Sequence, residues 1–127
     1  MYTVVVENNG SQHYRATSRG YEFLMGQGGA NPVETLLAGL SACVAHHVLS
    51  RLIARQIAFA ALVVKADAEL EEDGLAIARV GLCIDLRDAA MTTAERDDLA
   101  AQARLCPLYN TLAKAAAMEI VCRSVGP

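Results

Sequence analysis

An α+β domain with its elements in the order β-β-β-α-β-β-α-α-β is predicted by three features of the sequence. Two segments that alternate apolar and polar residues face each other across a tight turn near the middle of the chain. A long run with apolar residues three and four apart precedes them. Short β-branched and aromatic stretches, punctuated by Asn-Asn-Gly and Ser-Arg-Gly, fill the N-terminal part.

The 127 residues fit one ordinary domain, 1–127, with enough chain for a real core. A composition 54% hydrophobic and 20% charged excludes disorder. Aromatics are only 5%, so the apolar content is mostly Ala, Leu and Val, and its richness predicts an oligomer interface. The net charge of −3, without any basic run, gives no reason to expect nucleic acid or an anionic membrane as partner. The N-terminus MYTVVVENNG lacks the pattern of a signal peptide. No uninterrupted apolar run approaches the roughly 18 residues of a membrane span, and a cytoplasmic location is expected. Four cysteines in such a chain are expected to be buried, metal-binding or redox-active rather than a static disulfide framework.

Residues 3–7 are a β-branched run and predict a strand. Asn8-Asn9-Gly10 closes a hairpin onto residues 12–17, and Ser18-Arg19-Gly20 turns into a third strand at 21–25. Gly28 and Gly29 lack the spacing of a phosphate-binding fingerprint and read as connector. Asn31 is a good N-cap and Pro32 suits the first helical position, so a helix is expected over 31–55. Leu36, Leu40, Cys43 and His47 fall on one stripe of it, with small residues opposite, which predicts a helix buried on most sides. Residues 57–71 and 75–87 form the clearest hairpin, joined by Glu72-Asp73-Gly74, with one dry face and one wet face that carries Cys83. Thr92 or Thr93 caps a helix to about residue 105. Pro107 opens another to about 116, and residues 118–125 read as a last strand.

Cys43 alone reads as a small hydrophobe inside a helix. Cys83 and Cys122, on strands, have still less to suggest reactivity. Cys106 stands at a helix start, where unpaired backbone N–H groups and the positive end of the dipole favour a thiolate; its bland reading is an unreactive cap. His47 lies one turn beyond Cys43 and can touch it. The pair could be a thiolate–imidazolium couple. Cys43 with His46 or His47 could ligate a metal, although adjacent histidines point about 100° apart on a helix. The third reading, two polar residues at a sheet edge or subunit boundary, is the ordinary one.

The element order, with GGANPVETLLAGLSAC and, far downstream, ARLCPLYNTLAKAAAMEI, resembles the OsmC/Ohr family of osmotically inducible and organic hydroperoxide resistance proteins, over nearly the full chain. The resemblance implies an OsmC-like fold and an intertwined homodimer with two central helices side by side. It implies a thiol peroxidase that reduces organic hydroperoxides, with Cys43 as the peroxidatic and Cys106 as the resolving thiol, recycled by an external dithiol. It calls for no metal, flavin or haem cofactor. In the organic-hydroperoxide branch an Arg from the N-terminal strands and a Glu directly after Asn-Pro support the thiolate. Here Val33 follows Asn31-Pro32, and Glu34 comes one residue later, on the face opposite Cys43 by helical counting. Arg15 and Arg19 are both candidates for the Arg, and His47 is the candidate to take over thiolate support. The NPVE pattern is similar to less-characterised members of the family. The alternative function on this fold is a redox-responsive or small-ligand-binding protein without turnover.

Overall fold

The structure, a computed structural model, describes residues 1–114. Its N-terminal part is a three-stranded antiparallel sheet of β1 (Val5–Glu7), β2 (His13–Ser18) and β3 (Tyr21–Gly26), in that order. The Asn8 side chain makes the first turn: its amide donates to the carbonyls of Ser11 and His13, both at 2.8 Å, and its Oδ1 accepts the Gly10 N–H. Between β2 and β3, Arg19 and Gly20 both have positive φ, the conformation that two-residue hairpins require. Gly26 ends β3 at φ 108°, where an added Cβ would collide with the Gln12 carbonyl.

Helix α1 (Pro32–Ala54) follows. Asn31 and Glu34 form a reciprocal capping box at its start, and Pro32 at the first position loses no hydrogen bond. The second sheet pairs β4 (Ala61–Leu70) with β5 (Ile77–Arg87), from Ala61↔Arg87 to Leu70↔Ile77, with a register irregularity after Glu69. Its dry face presents Leu62, Val64, Val80, Leu82, Ile84 and Leu86 to the core. Lys65, Asp67, Glu69, Arg79, Cys83, Asp85 and Arg87 are exposed. The hairpin is shorter than 57–71 and 75–87 because Ile57 still bonds back to the Leu52 carbonyl, and Asp73 and Gly74 form the turn. Helix α2 (Thr93–Ala103) is capped by Thr92, whose hydroxyl accepts the Glu95 N–H, and α3 (Pro107–Lys114) begins at Pro107. The strand expected at 118–125 lies outside the described residues.

The expectation for α1 needs two corrections. Its buried residues are Leu40, Val44, Val48 and Leu52, a stripe four apart and rotated from the predicted Leu36–Leu40–Cys43–His47 line. Val33, Leu36, Leu49 and Ile53 are exposed, so within one chain the helix is covered along one face only. The reason is that the elements with the most extensive packing on α1, the β4–β5 hairpin, α2 and α3, all meet that one face. Burying each stripe residue is worth about 1.5–3 kcal/mol. That outweighs the helix-propensity cost of Val44 and Val48, at most roughly 0.7 kcal/mol each. Second, α1 is long and apolar enough to cross a membrane by length and composition alone. Counting uninterrupted runs missed this because His46, His47 and Arg51 interrupt the run without making the helix polar. In the fold, Leu40, Val44, Val48 and Leu52 of that helix join the core, while Val33, Leu36, Leu49 and Ile53 stay exposed in the single chain.

Candidate functional site

Helix α1 brings Cys43 to one side of its buried stripe, half-buried between Leu40 and Val44 in sequence. The α2–α3 corner brings Cys106 to the same place. Backbone bonds from Arg104, Leu105 and Cys106 to carbonyls three residues back tighten the end of α2. Pro107 then starts α3, and Cys106 is left as its cap, fully buried. The Asn110 N–H donates to the Cys106 carbonyl at 3.0 Å, the first bond of α3, and the Tyr109 N–H donates to Cys106 Sγ at 3.4 Å. Cys106 belongs to the core cluster of Leu40, Val44, Val48, Leu52, Leu99 and Ala103, and Cys43 packs against that cluster. Both cysteines are free thiols. Leu108, in the first turn of α3, lies over Gly39 of α1, one turn before Cys43.

Burial pushes the Cys43 thiol above its ordinary range, and its interaction with the Cys106 sulfur adds to the rise; the Leu108 backbone N–H opposes it. Both effects that raise it act against the charged form.

The other sequence-predicted residues lie elsewhere. Glu34 is committed to the helix start, where its carboxylate accepts the Asn31 N–H at 3.0 Å. Nine residues along α1 put it about 14 Å in axial rise from Cys43. Arg15, on β2, pairs with Glu7 at 2.9 Å and lies 3.8 Å from Glu22, and these carboxylates hold its guanidinium firmly charged. Arg19, in the β2–β3 turn, stacks over the Tyr21 ring at 5.5 Å. His47 is half-buried on α1, one turn beyond Cys43, with its ring edge-on to that of His46 at 5.5 Å. Among the described residues, no group of three His, Cys, Asp or Glu side chains is placed to hold a metal. The structure thus brings together Cys43 and Cys106, while Glu34, Arg15 and Arg19 have partners of their own.

Two further features depend on tertiary placement, the first an apolar pocket that the sequence leads one to expect around Leu36 and Leu40 and that includes only Leu40 of the two. A cavity of about 360 Å³ is lined by Leu40, Val80, Leu82, Tyr109 and Leu112 among others, so its walls include the residue one turn before Cys43 and the residue whose amide meets Cys106. Arg51, two turns beyond Cys43, forms a two-point ion pair with Asp98 of α2. Its only sequence signal is a charge in the last turns of an otherwise apolar helix.

Comparison with known proteins gives a consistent family picture. A family model described as OsmC-like protein matches residues 25–121. No curated protein sequence matches the chain. Among solved structures, an OsmC-like protein from Mycoplasma pneumoniae is similar at TM-score 0.80 and 19% identity, over 91% of this chain and 89% of that one. The organic hydroperoxide resistance protein OhrB of Bacillus subtilis is similar at TM-score 0.61 and 18% identity, over 91% and 92%. An organic hydroperoxide resistance protein OsmC from Legionella pneumophila is similar at 0.62 and 16%, over 90% and 91%. At these identities the likeness is one of fold.

Proposed function

The chain belongs to the OsmC-like protein family, and from that premise we propose that it reduces organic hydroperoxides, with Cys43 as peroxidatic and Cys106 as resolving thiol. The observation that carries the reading is the convergence of these two free thiols, from α1 and the start of α3, at one core cluster. Two of the fold neighbours are organic hydroperoxide resistance proteins, which agrees with it.

In the first step Cys43 sulfur, as thiolate, attacks the distal peroxide oxygen. The O–O bond breaks, Cys43 becomes a sulfenic acid, and the alkoxide leaves and is protonated to the alcohol. Cys106 thiolate then attacks the Cys43 sulfur, forming the disulfide and releasing hydroxide, which takes a proton to become water. An external dithiol returns both thiols by exchange. The apolar cavity beside Leu40 and Tyr109 favours a substrate with an organic tail over hydrogen peroxide. The working unit is a homodimer in this reading. The exposed apolar residues Leu36, Leu49 and Ile53 of α1 and Phe23 and Leu24 of β3 are the surface a second copy would cover. Arg15 or Arg19 would then support the thiolate from the partner subunit, with His47 doing so from within the chain.

The test is consumption of cumene hydroperoxide by the reduced protein with a dithiol. Turnover above the background of Cys43→Ser supports the proposal; equal rates refute it. The engagement of Glu34 in the helix cap favours a second reading, a redox-responsive or ligand-binding protein without turnover. One equivalent of hydroperoxide separates the two. Rapid, selective Cys43–Cys106 disulfide formation marks the enzyme, and slow, unselective oxidation marks the alternative.

A further inference from the structure

Helix α2 is anchored on α1 through the buried Leu99 and Ala103 and through the ion pair of Arg51 with Asp98. Among the described residues α3 has less to hold it: Leu108 and Leu112 are exposed and Tyr109 is half-buried. Where Cys106 sits relative to Cys43 is therefore decided at the corner between α2 and α3. The N–H groups of Arg104, Leu105 and Cys106 are spent on the carbonyls of Ala101, Gln102 and Ala103. The Arg104 carbonyl is one of the helix-end acceptors that such bonds leave over. It accepts the side-chain amide of Asn110, Nδ2 to O at 3.0 Å, across six residues. The backbone N–H of the same Asn110 donates to the Cys106 carbonyl, also at 3.0 Å. Helical side chains tilt toward the N-terminus, so the Asn110 amide reaches back past Cys106 to the end of α2. The segment from Arg104 to Asn110 is thus closed into a ring, with Cys106 inside it.

Resting on the reading of Cys43 and Cys106 as a redox pair, we propose that Asn110 is a positioning residue for the resolving thiol: its side-chain bond to the Arg104 carbonyl locks the α2–α3 corner so that Cys106 faces Cys43. In the resolving step the Cys106 sulfur, as thiolate, attacks the sulfur of the Cys43 sulfenic acid. The S–S bond forms, the S–O bond breaks, and the departing hydroxide takes a proton to become water. Asn110 touches none of these atoms. It sets the effective concentration of one thiol at the other, which falls when the corner is free to rotate. The bond lies at the surface and ties one helix end to the next, so its loss leaves the core cluster of Leu40, Val44, Val48 and Leu52 in place.

The dithiol–disulfide equilibrium separates positioning from plain stabilisation, and it needs no peroxide. A substitution that weakens reduced and oxidised protein alike leaves the equilibrium constant unchanged. One that loosens the placement of the two thiols lowers it. In a background with Cys83 and Cys122 changed to Ser, the protein is equilibrated at neutral pH with mixtures of reduced and oxidised dithiothreitol, and the Cys43–Cys106 disulfide is quantified by peptide mass. As its S–S bond closes, two electrons and both thiol protons pass to the reagent's disulfide. Asn110→Ala should lower the constant about three- to tenfold, the effect of losing one hydrogen bond. Alanine favours a helix more than asparagine does, so a weaker α3 would not be the cause. Asn110→Asp keeps the shape but has no N–H to donate, and it should lower the constant likewise. Should Asn110→Ala not fold, Asn110→Asp decides by the same comparison. Equal constants in wild type and variants, all folded by circular dichroism, overturn the positioning role and leave the thiol pair intact. A constant lowered in Asn110→Ala but not in Asn110→Asp also overturns it, because the hydrogen bond is lost in both. A wild type that never closes the disulfide refutes the thiol pair itself, and this proposal with it.

Discussion

Arg51 of α1 and Asp98 of α2 are joined at two points, Nε to Oδ2 at 2.7 Å and Nη2 to Oδ1 at 3.0 Å. Both side chains are about two-thirds covered, and the planar fork of the guanidinium matches the carboxylate. The pair fixes α2 against the last turns of α1. Through α2 it sets where the α2–α3 corner, and hence Cys106, meets Cys43.

The Asp98 carboxyl is held below its ordinary value, first by the hydrogen bond from Arg51, with burial acting in the opposite sense. A carboxylate depressed in the folded state contributes stability above its unfolded value, about 3.9, and loses it as pH falls through the folded value. Thermal midpoints measured against pH should therefore drop below about pH 4 more steeply for wild type than for Asp98→Asn. Parallel acid limbs would show that the pair contributes nothing to this linkage.

Glu34 gives a prediction that separates a capping role from a catalytic one. Asn31→Ala should cost about 0.5–2 kcal/mol of stability by removing the cap. Glu34→Ala should be destabilising in the same direction, and Glu34→Gln should be nearly neutral, because Gln serves in a capping box. Neither Glu34 variant should shift the pH at which Cys43 is alkylated, followed peptide by peptide with iodoacetamide. A clear shift in Glu34→Gln alone would mean that its charge reaches the thiol.

Much of this arrangement is legible in the sequence because it is local. Asn31-Pro32 and Thr92 announce helix starts through their own side chains, and the period-two alternation around Glu72-Asp73-Gly74 announces the hairpin. The buried face of α1 is less legible. Leu36, Leu40, Val44, Val48, Leu52 and Ile53 are all apolar, so helical spacing alone permits more than one stripe. Packing of the hairpin, α2 and α3 selects Leu40, Val44, Val48 and Leu52. The site follows the same division. That Cys106 caps a helix is readable from Cys-Pro. That the Tyr109 N–H meets its sulfur, and that Arg51 finds Asp98 forty-seven residues away, depends on tertiary placement.

Leu52 and Ile53 are neighbours in sequence and opposites in environment, the first fully buried and the second 67% exposed in the single chain. Leu52→Ala should cost about 2–5 kcal/mol, the range for emptying a core site. Ile53→Ala should change a monomer by only about 0.5 kcal/mol or less. If Ile53 lies in a subunit interface, Ile53→Asp should lower the sedimentation mass at micromolar concentration and remove the concentration dependence of the thermal midpoint that a dimer shows. An unchanged mass for Ile53→Asp would remove Ile53 from the proposed dimer surface.

The Cys43 thiol carries the last prediction, and its sign follows from which form the fold prefers. Burial, then the Cys106 sulfur, raise it above its ordinary value. A group raised in the folded state contributes stability that is fully present below its unfolded value, about 8.5 for a thiol, and is lost as pH rises through the folded value. The reduced wild-type protein should therefore lose thermal stability above about pH 8.5 faster than Cys43→Ala does, although the alanine variant starts lower because it gives up packing at the α1–α3 junction. The same preference for the neutral form means that peptide-resolved alkylation of Cys43 should climb only at alkaline pH. Cys43 alkylated as readily at neutral pH as at alkaline pH would mean that something in solution, a partner subunit's arginine being the first candidate, overrides the burial that the single chain imposes.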